Sequence, residues 1–276
     1  MNLGISTLGH LIDLARTQNF TNLKDLLVKA SEKCLNFAEK QGVEIVELVI
    51  DPPEVFDIES KQEFIKMVNS FKLKKQVHGP YIDLSLCSYN EHISNASIES
   101  CRDTVNICYQ IDARIMTIHP GYANFMLSSI REINKAQLKI AIHKLLNSIN
   151  HQKLQICLEN MPRDAHIMTD SKNIEEIYRT INRDDLFFTY DTSHYYTSKG
   201  DVNDLWAKYH NSIKNVHLVD NFSRFSDTHP PLGTGKIKFK EIIDILKKYS
   251  YKGSLIIELS SAKSLNQSIN FINKFL

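Results

Sequence analysis

A (β/α)8 barrel is the fold this sequence predicts, on three observations. Eight short runs of β-branched and apolar residues alternate with longer segments of helical period. The strand runs are continuously apolar, as in a parallel sheet covered on both faces. The chain has 276 residues, and such barrels occupy about 250 as one domain. No Pro/Gly/Ser-rich linker or block of like charge divides it, so one barrel domain over residues 1–276 is expected. A doubly wound open sheet is the alternative, but no G-x-G-x-x-G follows the first strand run.

In chain order the strand runs are residues 3–6, 43–49, 76–78, 115–119, 154–159, 187–191, 215–218 and 255–259. Helical patterns cover 23–40, 63–71, 98–111, 133–149, 173–181, 239–249 and 265–276. Gly42 supplies a stop after the first of these, and Asp170 or Ser171 can cap the one that carries Glu175 and Glu176. Cys101 and Cys108 lie two turns apart in an apolar pattern, which suits buried thiols. His143 and His151 fall within or just after a helical segment and read as surface residues.

Composition narrows the class. Apolar residues make up 42% and charged residues 24%, as in ordinary globular proteins. A net charge of +1 gives no basic footprint for nucleic acid, although a local patch fits within a neutral total. Residues 1–16 lack the pattern of a signal peptide, and no apolar run reaches the roughly 18 residues of a membrane span. Five scattered cysteines without a C-x-x-C pair suit a reducing compartment. A cytoplasmic protein without a membrane partner is expected.

The chemistry lies at the strand ends. His78 closes the third run, His119 the fourth, Glu159 the fifth, Asp191 the sixth, His217 the seventh and Glu258 the eighth. In a parallel barrel these ends converge on one mouth. Any one alone is more simply a separately satisfied polar residue, but six in succession are metal-ligand types on one rim. Carboxylates ending buried strands are costly to desolvate unless a cation offsets the cost. Asp191-Thr192-Ser193-His194 and Asp227-Thr228-His229 extend the set, and mixed Asp/His ligands suit Zn2+ or Mn2+ better than Ca2+. Asp191 can equally cap the turn that follows it, and Asp227 can sit in a solvated loop. His119-Pro120-Gly121 forces a turn directly after the fourth strand. Leu232-Gly233-Thr234-Gly235 is either a plain loop or one whose N–H groups approach a substrate phosphate.

These segments, with His78-Gly79-Pro80-Tyr81, Leu158-Glu159-Asn160, Val216-His217-Leu218-Val219-Asp220 and Ile257-Glu258, resemble the xylose isomerase-like TIM barrels. That superfamily contains endonuclease IV (AP endonuclease family 2) and many sugar isomerases and epimerases. The matching motifs span about two-thirds of the chain, from the third strand to the eighth. Resemblance to endonuclease IV implies a trinuclear zinc site. His78, His119 and Glu159 would hold one ion; Glu159, Asp191, His217 and Glu258 a second; His194, Asp227 and His229 a third. Tyr81 would match a position that contacts DNA beside an abasic site, and the substrate would be such DNA or another phosphodiester. Resemblance to the isomerases implies one Mn2+, Co2+ or Zn2+ on Glu159, Asp191, His217 and Glu258. Glu159 and Glu258 would then be the catalytic acid and base on a small sugar or sugar phosphate, with His194 against substrate.

Departures from the endonucleases fall in loops. Asn160-Met161-Pro162-Arg163-Asp164 replaces a Gly-rich stretch, Ser193 stands where they carry Cys, and Ile82-Asp83-Leu84 replaces an Asn. The loop between His217 and Asp227 is shorter, and the segment from Val46 to Pro52 is more like the sugar-acting members. A third possibility, a non-catalytic metal-binding scaffold, fits poorly, because closed structural zinc sites draw four ligands heavily from Cys.

Overall fold

The computed structural model describes residues 1–150 and 152–276, so the reading of His151 lies outside the described residues. Eight parallel strands close into a barrel in chain order: β1 (Asn2–Ser6), β2 (Ile45–Val49), β3 (Lys74–His78), β4 (Ile115–Ile118), β5 (Gln155–Glu159), β6 (Leu186–Asp191), β7 (Ile213–Leu218) and β8 (Ser254–Ile257). β1 pairs with β8 through Asn2 opposite Ser254 and Leu3 opposite Leu255, which completes the ring. Closure leaves no sheet edge and brings all eight C-terminal ends to one face.

The helices are α1 (Leu8–Thr17), α2 (Leu23–Gln41), α3 (Ile58–Asn69), α4 (Glu91–Gln110), α5 (Ser128–Leu146), α6 (Ser171–Ile181), α7 (Thr192–Ser198), α8 (Val202–Tyr209), α9 (Phe239–Lys248) and α10 (Leu265–Ile272). Three of them, α1, α7 and α8, were not expected from the sequence; each is short and directly follows a strand or another helix. Local chemistry ends several helices as anticipated. Gly42 adopts φ 68° and its N–H caps the carbonyls of Ala38 and Glu39. Asp170 caps α6 through its carboxylate, which accepts from Asn173 N at 3.0 Å. All five cysteines are buried and free. His143 is half-buried rather than on the surface, its Nε2 2.8 Å from the Ile181 carbonyl oxygen. No helix among the described residues is long and apolar enough to cross a membrane.

The main apolar core lies between the sheet and the helices, filled by Leu35, Ile107, Leu145, Ile177 and Leu246, all fully buried. Phe188 on β6 packs edge-on against Tyr178 of α6 and Tyr209 of α8, at ring-centroid distances of 5.9 and 6.0 Å. That contact holds two helices to the strand that ends in Asp191. Phe188→Ala should lower unfolding free energy by about 3–5 kcal/mol, the usual loss for a buried aromatic. Urea denaturation measures it, and a loss below about 1 kcal/mol would mean that the helices are held elsewhere.

Candidate metal centre

The residues that close the strands do converge at the C-terminal mouth. His78, Glu159 and Asp191 end β3, β5 and β6, and His217 lies one residue before the end of β7. His119 and Glu258 follow the last residues of β4 and β8. His194 comes from α7, and Asp227 and His229 come from the loop between β7 and α9. Their donor atoms form three close groups, His78, His119 and Glu159; Glu159, Asp191 and His217; His194, Asp227 and His229, and a fourth joins His217 and Glu258 with Glu47. Within each group the ligand atoms lie within 4.8 Å of one another. Glu258 joins the second and third groups, 3.8 Å from His217 Nδ1 and 3.3 Å from His229 Nδ1.

Surrounding hydrogen bonds aim the ligand atoms. His78 Nδ1 contacts the Gly79 carbonyl at 2.9 Å, which leaves Nε2 facing Glu159 Oε2 at 3.4 Å. His194 Nδ1 contacts the Asn160 carbonyl at 2.9 Å, which leaves Nε2 for Asp227 Oδ2 at 3.1 Å. Asp191 both caps and faces the cavity. Its Oδ1 accepts from His194 N at 2.7 Å, while its buried Oδ2 has no hydrogen-bond partner. Ser193 donates to Asp227 Oδ1 at 2.5 Å and so turns Oδ2 toward His194 and His229. His229 adopts a left-handed backbone, φ 47°, with its carbonyl held by the N–H and hydroxyl of Ser260. Gly121 follows the turn at Pro120 with φ 91°, where a Cβ would lie 2.2 Å from Ser85 Oγ.

The donor set fits divalent cations. Asp191 Oδ2, Glu258 Oε2 and His229 Nδ1 are all buried without a hydrogen-bond partner, an expensive state for polar atoms that a cation relieves. Borderline imidazole and carboxylate ligands suit Zn2+ or Mn2+.

The electrostatics follow from crowding. Burial pushes the Asp191 carboxyl up to about 7. Burial also raises Glu159, but the charges of His217 and His119 overcome it and hold that carboxyl well below the usual range. Glu258 is treated the same way by His229 and His217 and falls to about 2. Burial disfavours protonated His78 and His229, yet Glu159 raises the first to about 9 and Asp227 with Glu258 the second to about 10.

Other expected residues are placed differently. Tyr81 lines the cavity with its ring 5.1 Å from His78 and 5.0 Å from His119 between centroids. Gly233 and Gly235 do not line it. Their N–H groups donate to Asp220 Oδ2 at 2.9 and 2.8 Å, so they brace the loop behind His229 instead of offering themselves to a phosphate. Two acidic residues escaped the sequence reading. Asp51, past the end of β2, accepts the N–H groups of Tyr81 and Ile82 and fixes the loop that carries Tyr81. Glu47, wholly buried in β2, lies 3.0 Å from His217 Nε2. Its signal was a lone charge within an apolar strand run.

A cavity of about 750 Å3 opens above the ligands, with Arg16, Arg163 and Arg224 among its lining. A family model for the xylose isomerase-like TIM barrel matches residues 35–275. The chain belongs to that family. Among relatives of this xylose isomerase-like barrel, the uncharacterized protein MJ1614 of Methanocaldococcus jannaschii is 30% identical over 216 residues, 77% of this chain and 81% of that protein. A probable endonuclease 4 of Aquifex aeolicus is 23% identical over 238 residues, 78% of this chain and 82% of its own length. A solved D-tagatose 3-epimerase-like protein superimposes with a TM-score of 0.81 over 100% of this chain and 97% of its own, at 22% identity. That likeness establishes the fold, and the family's enzymes divide between nucleic-acid and sugar chemistry.

The histidines give a pH test. His78 and His229 titrate above the 6.5 of an unperturbed histidine, so in the metal-free protein their stabilisation is complete below pH 6.5. It is lost as pH rises through about 9 and about 10. Asp191 acts in the same sense between 3.8 and about 7. A cation replaces these protons, so its stabilising effect grows as they leave. The rise in Tm on adding Zn2+ should therefore increase between pH 6.5 and about 9. Scanning calorimetry checks this, and a Tm shift that shrinks over that interval contradicts it.

Proposed function

We propose that this chain hydrolyses a phosphodiester bond, using two or three divalent ions, Zn2+ foremost, held by the nine mouth residues. DNA carrying an abasic site, or another phosphodiester, is the substrate class. The observation that carries the proposal is the third ligand group, His194, Asp227 and His229, whose atoms are aimed by Asn160, Ser193 and Ser260. A single-ion isomerase would place His194 against substrate but has no use for Asp227 and His229. His78 and His119 are likewise surplus to a four-ligand site.

Ions in these places would polarise phosphoryl oxygens, lower the pKa of a water and stabilise a leaving alkoxide. The chain's own residues supply the remainder. Arg16, Arg163 and Arg224 bring positive charge to the cavity wall, as an anionic substrate requires. Arg224 is fixed there by the Tyr196 carbonyl at 2.6 Å and by the Tyr196 ring, 4.2 Å from its guanidinium carbon. Burial pushes the Tyr81 hydroxyl up, which keeps it a protonated donor beside His78 and His119. The volume of about 750 Å3 suits one nucleotide-sized group at the ligands, with the rest of a polymer outside. The similarity to a probable endonuclease 4 points the same way.

The second reading, a sugar or sugar-phosphate isomerase with one ion, has support in the deep burial of Glu159, Asp191, His217 and Glu258. It asks Glu159 and Glu258 to carry protons. Both carboxyls are held low by the neighbouring imidazoles, which makes them better ligands than proton carriers.

Purified protein loaded with Zn2+ should cleave bis(p-nitrophenyl) phosphate and a duplex containing one abasic site. His229→Ala should lower kcat/KM by about 100-fold or more, the scale expected when a charge-stabilising group is lost. Turnover of ketoses that survives in His229→Ala, with no phosphodiester cleavage by the parent protein, would overturn the proposal in favour of the isomerase.

A further inference from the structure

We propose that Glu47 is the positioning residue of His217. Its carboxylate accepts the Nε2 proton of that ring and so turns Nδ1 toward the place of the cations. The inference rests on His217 being a metal ligand, and it holds for either reaction above.

Below the mouth lies a closed polar layer of Glu47, Gln76, Thr117, Thr189 and Asn215, contributed by β2, β3, β4, β6 and β7 and all buried. Gln76 Nε2 has two protons and two acceptors, Glu47 Oε2 at 2.7 Å and Asn215 Oδ1 at 3.0 Å. Asn215 Nδ2 likewise has Glu47 Oε2 at 3.0 Å and Thr117 Oγ1 at 3.2 Å. The Thr117 hydroxyl lies 2.8 Å from that of Thr189. Both amides are thereby used up on Glu47 Oε2 and its neighbours, and no hydrogen-bond donor among them reaches Glu47 Oε1.

His217 Nε2 faces this carboxylate edge, 3.0 Å from Oε1 and hydrogen-bonded to Oε2 at 3.3 Å. A carboxylate accepts and does not donate, so Nε2 must carry a proton; Nδ1 faces a second carboxylate, Glu159 Oε1 at 3.0 Å, and keeps a proton only until a cation takes its place. The Asn215 amide is also 3.0 Å from His217 Nε2, but both of its protons have oxygen acceptors, and that contact needs no hydrogen bond. Nδ1 in turn points among Glu159 Oε1 at 3.0 Å, Glu258 Oε2 at 3.8 Å and Asp191 Oδ2 at 3.9 Å, the oxygens that would share an ion with it. Once an ion takes the place of the Nδ1 proton, the ring is left as the Nε2-protonated neutral tautomer, in an orientation that Glu47 holds. The Gln76 and Asn215 amides fix Glu47 in turn, so the positioning chain crosses the barrel from β3 to β7.

Glu47→Gln keeps the shape and removes the acceptor charge. The test is a Zn2+ titration against a competing chelator on the full chain, with histidine-selective 15N NMR as the second readout. The expected spectrum of the Zn2+-loaded wild type shows His217 protonated at Nε2 alone, with that proton shifted downfield by the carboxylate. In Glu47→Gln the same number of ions binds at saturation, one of them about 10–100-fold more weakly, and the downfield proton moves upfield. Unchanged affinity with an unchanged proton signal overturns the proposal. Loss of a whole ion at saturation also overturns it, because Glu47 would then be a ligand. If the variant misfolds, the Zn2+-loaded wild-type spectrum still decides, since a proton on Nδ1 or a cation on Nε2 contradicts the assignment. Wild-type protein that binds no Zn2+ at all refutes the metal reading on which the proposal rests, an outcome distinct from Zn2+ binding with the proton on Nδ1.

Discussion

Glu159 is 1% exposed, and four imidazoles from four different elements surround its two oxygens: His119 at 2.9 Å, His217 at 3.0 Å, His78 at 3.4 Å and His194 at 3.5 Å. A carboxylate so placed tolerates burial only because those rings, or cations held between them, balance its charge. Barrel closure creates this crowding, since β3, β5, β7 and the turn after β4 each deliver a ligand to the same point. Asp191 and Glu258 press against the same centre with buried oxygens that find no protein donor. The mouth is thus built with an unmet demand for positive charge, and the metal reading follows from that demand before any likeness to known enzymes is considered.

Each ligand is held by a partner one step further out. Gly79 and Asn160 supply carbonyls to His78 and His194, Ser193 turns Asp227, Ser260 clamps the backbone of His229, and Glu47 faces His217. The position where the endonuclease resemblance is broken by Ser193 therefore still serves the third ligand group. Asp220 adds a structural brace by gathering the N–H groups of Asn221, Gly233, Gly235 and Ile237 at the base of the loop that presents Asp227 and His229. Such outer supports make a site rigid enough to bind ions with geometry set in advance.

The barrel was legible because parallel strands buried on both faces read as uninterrupted apolar runs, and a polar residue closing such a run is conspicuous. His78, Glu159, Asp191 and His217 announced themselves in that way. The helices α1, α7 and α8 did not, because each is short and its pattern merges with the flanking loop or helix. Glu47 was hidden because its environment is the barrel lumen, and which side of β2 faces that lumen depends on closure, a non-local property. Gly233 and Gly235 were misassigned for a similar reason. A G-x-G turn is local, but the carboxylate that occupies its N–H groups belongs to Asp220, 13 and 15 residues earlier.

The number of cations bound by the wild-type chain tests the central claim most directly, because the first and third ligand groups separate a multinuclear centre from a mononuclear one. Elemental analysis after saturation with Zn2+ and removal of free ion should return about three Zn2+ per chain, and no fewer than two, as multi-ion phosphoryl chemistry requires. A single ion per chain, with His78, His119, Asp227 and His229 left without one, would contradict the account and leave Glu159, Asp191, His217 and Glu258 as the whole of the site.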